Sequence, residues 1–120
     1  MNKVASYKDL IVWQKSMDLV VRIYHLTQSF PQEERFGLIS QLRRSAVSIP
    51  SNIAEGSRRG TKKDYRSFVL IAYGSGAELE TQIEIAKRLD FLKSADSHQL
   101  DLLLQEIMKM LNKLVGVLET

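Results

Sequence analysis

Apolar residues recur at steps of three and four along nearly the whole chain, a helical period from end to end. The rhythm is clearest between Leu100 and Leu118, where Leu100, Leu103, Leu104, Ile107, Leu111, Leu114 and Leu118 fall on one face. It returns in Ile39, Leu42, Ala46, Ile49 and Ile53, and again in Phe68, Ala72, Ser75, Leu79, Ala86 and Leu89. The first segment carries two stripes, Leu10, Trp13, Met17, Val20 and Tyr24 on one and Ile11, Leu19, Ile23 and Leu26 on the other. An apolar arc that wide predicts a helix packed on two sides, with part of it facing another subunit. No alternating β-branched run is present, and no hairpin dipeptide joins two such runs, so no strand is predicted.

The breaks between segments are short. Phe30-Pro31-Gln32-Glu33-Glu34 closes the first and opens the second with proline and acids, which suit a helix N-terminus. Gly56 to Lys63 forms the next link, with Thr61 as N-cap of the third helix, and Lys93-Ser94-Ala95-Asp96 leads into the fourth. The predicted helices span about 7–28, 34–57, 62–91 and 96–118. Links this short favour antiparallel neighbours, so the expected fold is all-α, an antiparallel up-down-up-down four-helix bundle forming a single domain over residues 1–120.

Pro50 interrupts this pattern chemically without shifting its phase. Inside a helix it removes one hydrogen bond and crowds the carbonyl four residues back, that of Ala46. The apolar spacing runs from Ile49 to Ile53 unbroken, which predicts a continuous second helix kinked at Pro50. A stop near Ser48 and a restart with Pro50 in the first helical position is the alternative.

With 44% hydrophobic and 26% charged residues in 120, the chain is long enough for one core of its own. It has no cysteine, which excludes disulfides, thiolate metal sites and thiol catalysis, and suits a cytoplasmic compartment. The opening Met1 to Asp9 lacks the apolar core of a signal peptide, and no apolar run is long enough for a membrane span. The net charge of +3 is unevenly spread: residues 30–63 hold seven basic and three acidic groups, whereas residues 94–120 hold two basic and four acidic ones. Such asymmetry orients a protein toward a polyanion, or lets one subunit's basic half meet another's acidic half.

Phasing the second helix on Ile39, Leu42, Ala46, Ile49 and Ile53 puts Arg44, Ser48, Ser51, Glu55 and Arg58 on the opposite side and Arg43 at its flank. Arg58, Arg59, Lys62 and Lys63 continue the positive charge into the link. One reading is an ordinary solvated face. The other is a phosphate-contacting surface formed by Arg43, Arg44, Arg58, Arg59, Lys62 and Lys63, since arginine grips phosphate oxygens in bidentate fashion. Tyr73-Gly74-Ser75-Gly76-Ala77-Glu78-Leu79-Glu80 lacks both the dinucleotide spacing and the Gly-Lys-Ser/Thr ending of a nucleotide loop, and no strand precedes it. Its glycines predict close helix approach beside Pro50, and Glu78 and Glu80 are expected to pair with Arg43 or Arg44. His25 and His98 stand alone on different helices, so neither a metal site nor a catalytic base is indicated, and no cofactor is expected. Trp13, Tyr65, Phe68 and Tyr73 have the spacing of core aromatics more than of a base-stacking platform.

Ser48-Ile49-Pro50-Ser51-Asn52-Ile53-Ala54-Glu55-Gly56, preceded by Arg43-Arg44 and followed by Gly74-Ser75-Gly76-Ala77-Glu78-Leu79-Glu80, resembles the bacterial four-helix bundle family of 23S rRNA intervening sequence proteins. The opening Tyr7-Lys8-Asp9-Leu10-Ile11-Val12-Trp13 is similar to that family's start, so the likeness covers about residues 7–92. It implies an antiparallel bundle that assembles as a ring-like homopentamer, with Pro50, Asn52, Glu55, Gly56, Glu78 and Glu80 as structural signature and Arg43, Arg44, Arg58 and Arg59 at basic positions of the pattern. Most members have no established activity. A related branch comprises accessory proteins of diversity-generating retroelements, which implies RNA or DNA and a reverse transcriptase as partners. Two functions follow as expectations for a chain that is not an enzyme: a nucleic-acid or ribonucleoprotein binding module, or a protein-interaction scaffold whose arginines serve ion pairs within or between subunits.

Overall fold

The computed structural model describes residues 6–119. Expectations that concern Met1 to Ala5 or Thr120 lie outside the described residues. Four helices form, α1 (Ile11–Thr27), α2 (Leu38–Ser57), α3 (Lys62–Arg88) and α4 (Ser94–Val117), and no strand occurs among the described residues. Helix α1 packs on α2 and α4, and α3 packs on the same two, so the contacts close a four-membered ring around one core. Partners across two of these contacts run in opposite sequence senses: Lys15 meets Glu106 and Arg22 meets Gln99 between α1 and α4, and Ser45 meets Gln82 and Ser48 meets Ser75 between α2 and α3.

Local chemistry sets each helix boundary. A short 3₁₀ turn, Tyr7–Asp9, is capped by the Ser6 hydroxyl and ends at Leu10, whose extended backbone delays α1 to Ile11. A second such turn, Gln32–Glu34, occupies the predicted start of α2. The helix begins only at Leu38, where the Glu34 carboxylate accepts the Leu38 N–H at 3.1 Å and replaces an N-cap side chain. Thr61 caps α3 as its chemistry predicts, accepting the Asp64 N–H at 3.1 Å. The α3 end comes earlier than predicted. Asp90 adopts a left-handed φ of 61° and the Phe91 N–H turns back to the Ala86 carbonyl at 2.9 Å, a Schellman closure.

The core is apolar and drawn from all four helices: Leu19 and Ile23, Leu42, Ala46, Ile49 and Ile53, Val69, Ala72, Leu79, Ile83 and Ala86, then Leu100, Leu104, Ile107 and Leu111. On α1 the buried stripe is Val12, Ser16, Leu19, Ile23 and Thr27, which lies between the two predicted ones. Ser16 and Thr27 sit there because their hydroxyls donate to the carbonyls four residues back, of Val12 and Ile23. On α3 the predicted core position Leu89 is exposed, because the helix has ended before it.

Helix α2 passes through Pro50 without interruption, the continuous reading and not the restart. Beside the proline, the Asn52 amide donates to the Ser48 carbonyl at 2.7 Å and to the Ser48 hydroxyl at 2.9 Å, and that hydroxyl meets Ser75 of α3 at 2.8 Å. Ser48 therefore faces α3, not solvent as its phase predicted. One glycine places the α2–α3 contact at its closest. A Cβ on Gly56 would lie 2.7 Å from the Phe68 Cβ and 3.2 Å from the Tyr65 carbonyl oxygen. Gly76 plays a similar part against Met108 of α4, while Gly74 faces open space, so the Gly-Ser-Gly run does not close on Pro50 as expected.

Gly56→Ala is predicted to lower stability by about 1–3 kcal/mol, since the added methyl meets backbone and a rigid Cβ. Gly76→Ala should cost less, because the overlapping atom is the end of a flexible methionine and alanine favours helix by ~1 kcal/mol. Urea unfolding of both variants checks this, and equal losses would refute the assignment of Gly56 as the tighter contact.

Candidate functional site

The outer side of the α1–α2 pair forms a long groove. Its middle is apolar, lined by Trp13, Met17, Val20, Val47, Pro50 and Ala54. Toward the α1–α2 link it continues past Val47 to Tyr24, Ile39 and Phe36. Phe36 is 91% exposed, in a turn where nothing covers its ring except the nearby Arg35 guanidinium, 5.9 Å from the centroid. Met17, Tyr24 and Val47 are also exposed. Trp13, Met17, Val20 and Tyr24 of the predicted stripe are thus the α1 wall of this groove, while Leu10, which precedes α1, lines a separate recess. Val47 and Ala54 of α2 escaped the sequence reading because the small residues around Pro50 drew attention to charge; Phe36 escaped because it lies between helices, where no period exposes it.

The six basic residues predicted to meet phosphate do not make one patch. They fall into two clusters about 20 Å apart along α2, at ~1.5 Å per residue, with the apolar groove between them. At the near end Arg43 is occupied within the fold: its Nε donates to the Thr27 hydroxyl at 3.0 Å, and its guanidinium lies 4.4 Å from the Tyr24 ring centroid. It clamps α1 to α2. Arg44, one step on, is exposed and makes no hydrogen bond or ion pair with a described residue. At the far end Arg58 stacks on Tyr7 at 5.5 Å, and Arg59 stacks on Phe68 at 4.8 Å and pairs with Glu55 at 3.3 Å. Lys62 and Lys63 are exposed at the start of α3, where the helix dipole adds to their charge. Gly60, with φ of 93°, makes the turn that brings the two pairs together.

Beneath Arg58, a shallow recess is lined by Ser6, Tyr7, Leu10, Ser57, Tyr65 and Leu114. Burial there pushes the Tyr65 phenol up from its ordinary value. Of the signature residues, Pro50 and Gly56 are buried, Asn52 is half-buried in the Ser48 network, and Glu55 holds Arg59. Glu78 and Glu80 are exposed on α3. Neither reaches Arg43 or Arg44, which corrects the expected interhelical ion pair: Arg43 is drawn the other way, to α1.

A charged cleft separates α3 from α4, about 560 Å³ in volume and lined by Glu80, Thr81, Glu84, Lys87, Arg88, Asp101 and Gln105. Lys87 bridges Asp101 and Glu84, and Arg88 pairs with Glu84 at 3.1 Å. Among the described residues no group of three or more His, Asp or Glu is placed to hold a metal ion, and no helix is long and apolar enough to cross a membrane.

The hydrogen bond to Asp101 raises the Lys87 ammonium above its ordinary range, with Glu84 adding to the effect. The folded-state value exceeds the unfolded one, so the contribution to stability is complete below the unfolded lysine pKa of about 10.4 and is lost as pH rises through the folded value. Lys87→Met is predicted to flatten the alkaline arm of the stability–pH profile between about pH 10 and 12, read by urea unfolding. An unchanged arm would refute the pairing.

The description "23S rRNA-intervening sequence protein" belongs to the family model that matches residues 8–113. A crystal structure of a protein with unknown function from the S23 ribosomal protein family, from Bacteroides thetaiotaomicron VPI-5482, is similar to the chain at 26% identity and a TM-score of 0.81, covering 88% of this chain and 98% of that one. No curated protein matches. Neither similarity names a catalytic activity.

Proposed function

The chain belongs to the 23S rRNA-intervening sequence protein family, and we propose that within it this protein is a non-enzymatic protein-docking module that works through the α1–α2 groove. One observation carries the reading: the groove leaves Met17, Val47, Tyr24 and the nearly uncovered Phe36 facing outward between guanidinium groups. Apolar anchors with a charged rim are how a groove takes an amphipathic helix, the anchors supplying affinity and the rim orientation. The arginines support it too. Arg43, Arg58 and Arg59 are already stacked on aromatic rings, which stiffens the rim, and Arg35 and Arg44 favour a partner with acidic flanks.

Trp13 is the only tryptophan and lies in the groove wall, so its emission reports occupancy. A synthetic helical peptide with leucines at helical spacing and glutamate flanks is predicted to shift that emission to the blue and protect it from acrylamide, saturably. Val47→Glu should weaken the binding at least tenfold without changing the helical circular dichroism. No shift at millimolar peptide, or equal binding by the variant, would sink the docking reading.

A second reading is favoured by a separate observation, the four cations Arg58, Arg59, Lys62 and Lys63 gathered at the α2–α3 turn, against two carboxylates there, Glu55 and Asp64. These would meet the phosphates of RNA or DNA. Affinity for a single-stranded RNA oligonucleotide is then predicted to fall with salt, and Arg58→Gln/Arg59→Gln to flatten the log–log slope by about one unit for each contact removed. A slope that stays the same in the double variant removes this reading and leaves docking untouched.

A further inference from the structure

We infer that the recess beneath Arg58 is a binding site for a nucleoside 5′-monophosphate unit, free or at the phosphorylated end of a strand. The inference shares Arg58 with the phosphate-contacting reading above and does not depend on the α1–α2 groove. Four stretches remote in sequence converge to build the site. The turn capped by Ser6 supplies Tyr7, the end of α2 supplies Ser57 and the following Arg58, the first turn of α3 supplies Tyr65, and α4 supplies Leu114. About 510 Å³ lies between them, within the range of small-molecule sites. The aromatic walls are held by their neighbours. The Tyr65 Cδ1 atom lies 3.1 Å from where a Cβ on Gly56 would stand, so bare backbone backs that ring, and Tyr7 is braced against Trp13 edge to face at 5.5 Å between centroids.

Two rings with Leu10 and Leu114 suit a flat ligand body, and the polar groups among them suit one with a polar edge. Neither the Tyr7 nor the Tyr65 hydroxyl has a hydrogen-bond partner among the described residues. Burial keeps the Tyr65 phenol protonated and so a donor. The Ser6 hydroxyl accepts the Lys8 N–H and keeps its own proton unspent, while the Ser57 hydroxyl donates to the Ala54 carbonyl and keeps its lone pairs. A nucleobase meets both needs at once, stacking by its faces and exchanging hydrogen bonds at its edge; a plain phenyl ring would leave these groups unpaired. Charge sets the other half of the ligand. The Arg58 guanidinium lies over Tyr7 and forms no ion pair or hydrogen bond with a described residue. Arg59, Lys62 and Lys63 stand on the same turn, against Asp64 and a Glu55 already held by Arg59. A phosphate monoester brings about 1.5 to 2 negative charges at pH 7, more than a phosphodiester inside a strand, and a guanidinium grips its oxygens in pairs. The mouth of the recess therefore favours a terminal phosphate and its interior a base.

Calorimetric titration at low salt with the four ribonucleoside 5′-monophosphates is expected to show saturable binding of at least one of them. Its nucleoside and inorganic phosphate should each bind at least about tenfold more weakly, since each makes only part of the contacts. Arg58→Gln should bring the nucleotide down to the level of the nucleoside. Tyr65→Phe removes one oxygen and keeps the ring; it should weaken nucleotide and nucleoside alike, leave inorganic phosphate unaffected and preserve the helical circular dichroism. Two RNA oligonucleotides that differ only in a 5′-phosphate separate the sources. Preference for the phosphorylated strand assigns the site to a strand end, and equal binding of the two assigns it to the free nucleotide. The inference is overturned if none of the four nucleotides binds more tightly than inorganic phosphate, which is plain ion binding by surface cations, or if either variant keeps the wild-type affinity. RNA with a 5′-hydroxyl that binds with the salt dependence predicted above, while no nucleotide binds, overturns the recess and leaves the phosphate-contacting reading in place.

Discussion

The close contact between α2 and α3 governs the rest of the molecule. Gly56 admits the Phe68 Cβ and the Tyr65 backbone to a distance no side chain would allow, and Ser48, Asn52 and Ser75 bind the same pair of helices through hydroxyls and an amide where larger groups would hold them apart. Pro50 belongs to this arrangement. It gives up one backbone donor at a buried position, and the Asn52 amide supplies a second donor to the neighbouring Ser48 carbonyl. With α2 held this near to α3, its other side is turned to α1 and made of Val47, Pro50, Ser51 and Ala54, residues too short to fill the space beside Met17 and Trp13. The groove is thus a by-product of tight packing behind it.

The same constraint divides the charge. Small residues in the middle of α2 separate the cations into two groups, one in its second turn against Tyr24 of α1 and one at its C-terminal end. Stacking on Tyr24, Tyr7 and Phe68 orders three guanidinium groups, at the modest strength typical of exposed cation–π pairs. A surface built this way presents fixed positive rims around an apolar trough. It differs from the open basic stripe of a dedicated nucleic-acid binder, in which long flexible side chains track a backbone.

Much of the fold was legible in the chain because it depends on period and on caps. The apolar steps of α4 needed no tertiary information, Thr61 announced the start of α3, and the Ser48 to Gly56 string carried the family resemblance. Boundaries set by less local chemistry were not legible: the Glu34 carboxylate standing in for an N-cap, and the left-handed Asp90 that stops α3 short of Leu89. Among the site residues, Arg44, Lys62 and Lys63 are as exposed as charge and phase imply, whereas Arg43 turned inward because Thr27 and Tyr24 are supplied by a different helix. A helical wheel cannot see a neighbour. For the same reason it placed Ser48 in solvent and Glu78 beside an arginine.

The Met108 sulfur fills the space that a side chain on Gly76 would have taken, so the α3–α4 contact is made through a thioether on one side and bare backbone on the other. Oxidation to the sulfoxide would add a polar, hydrated oxygen where the thioether now lies against the Gly76 backbone, and the side chain would have to swing away from α3 to hydrate it. Met17, in the open groove, would accept the same oxygen freely. Two methionines of one small chain therefore differ in what oxidative damage means: a change of surface character at one, and a loosened helix contact at the other.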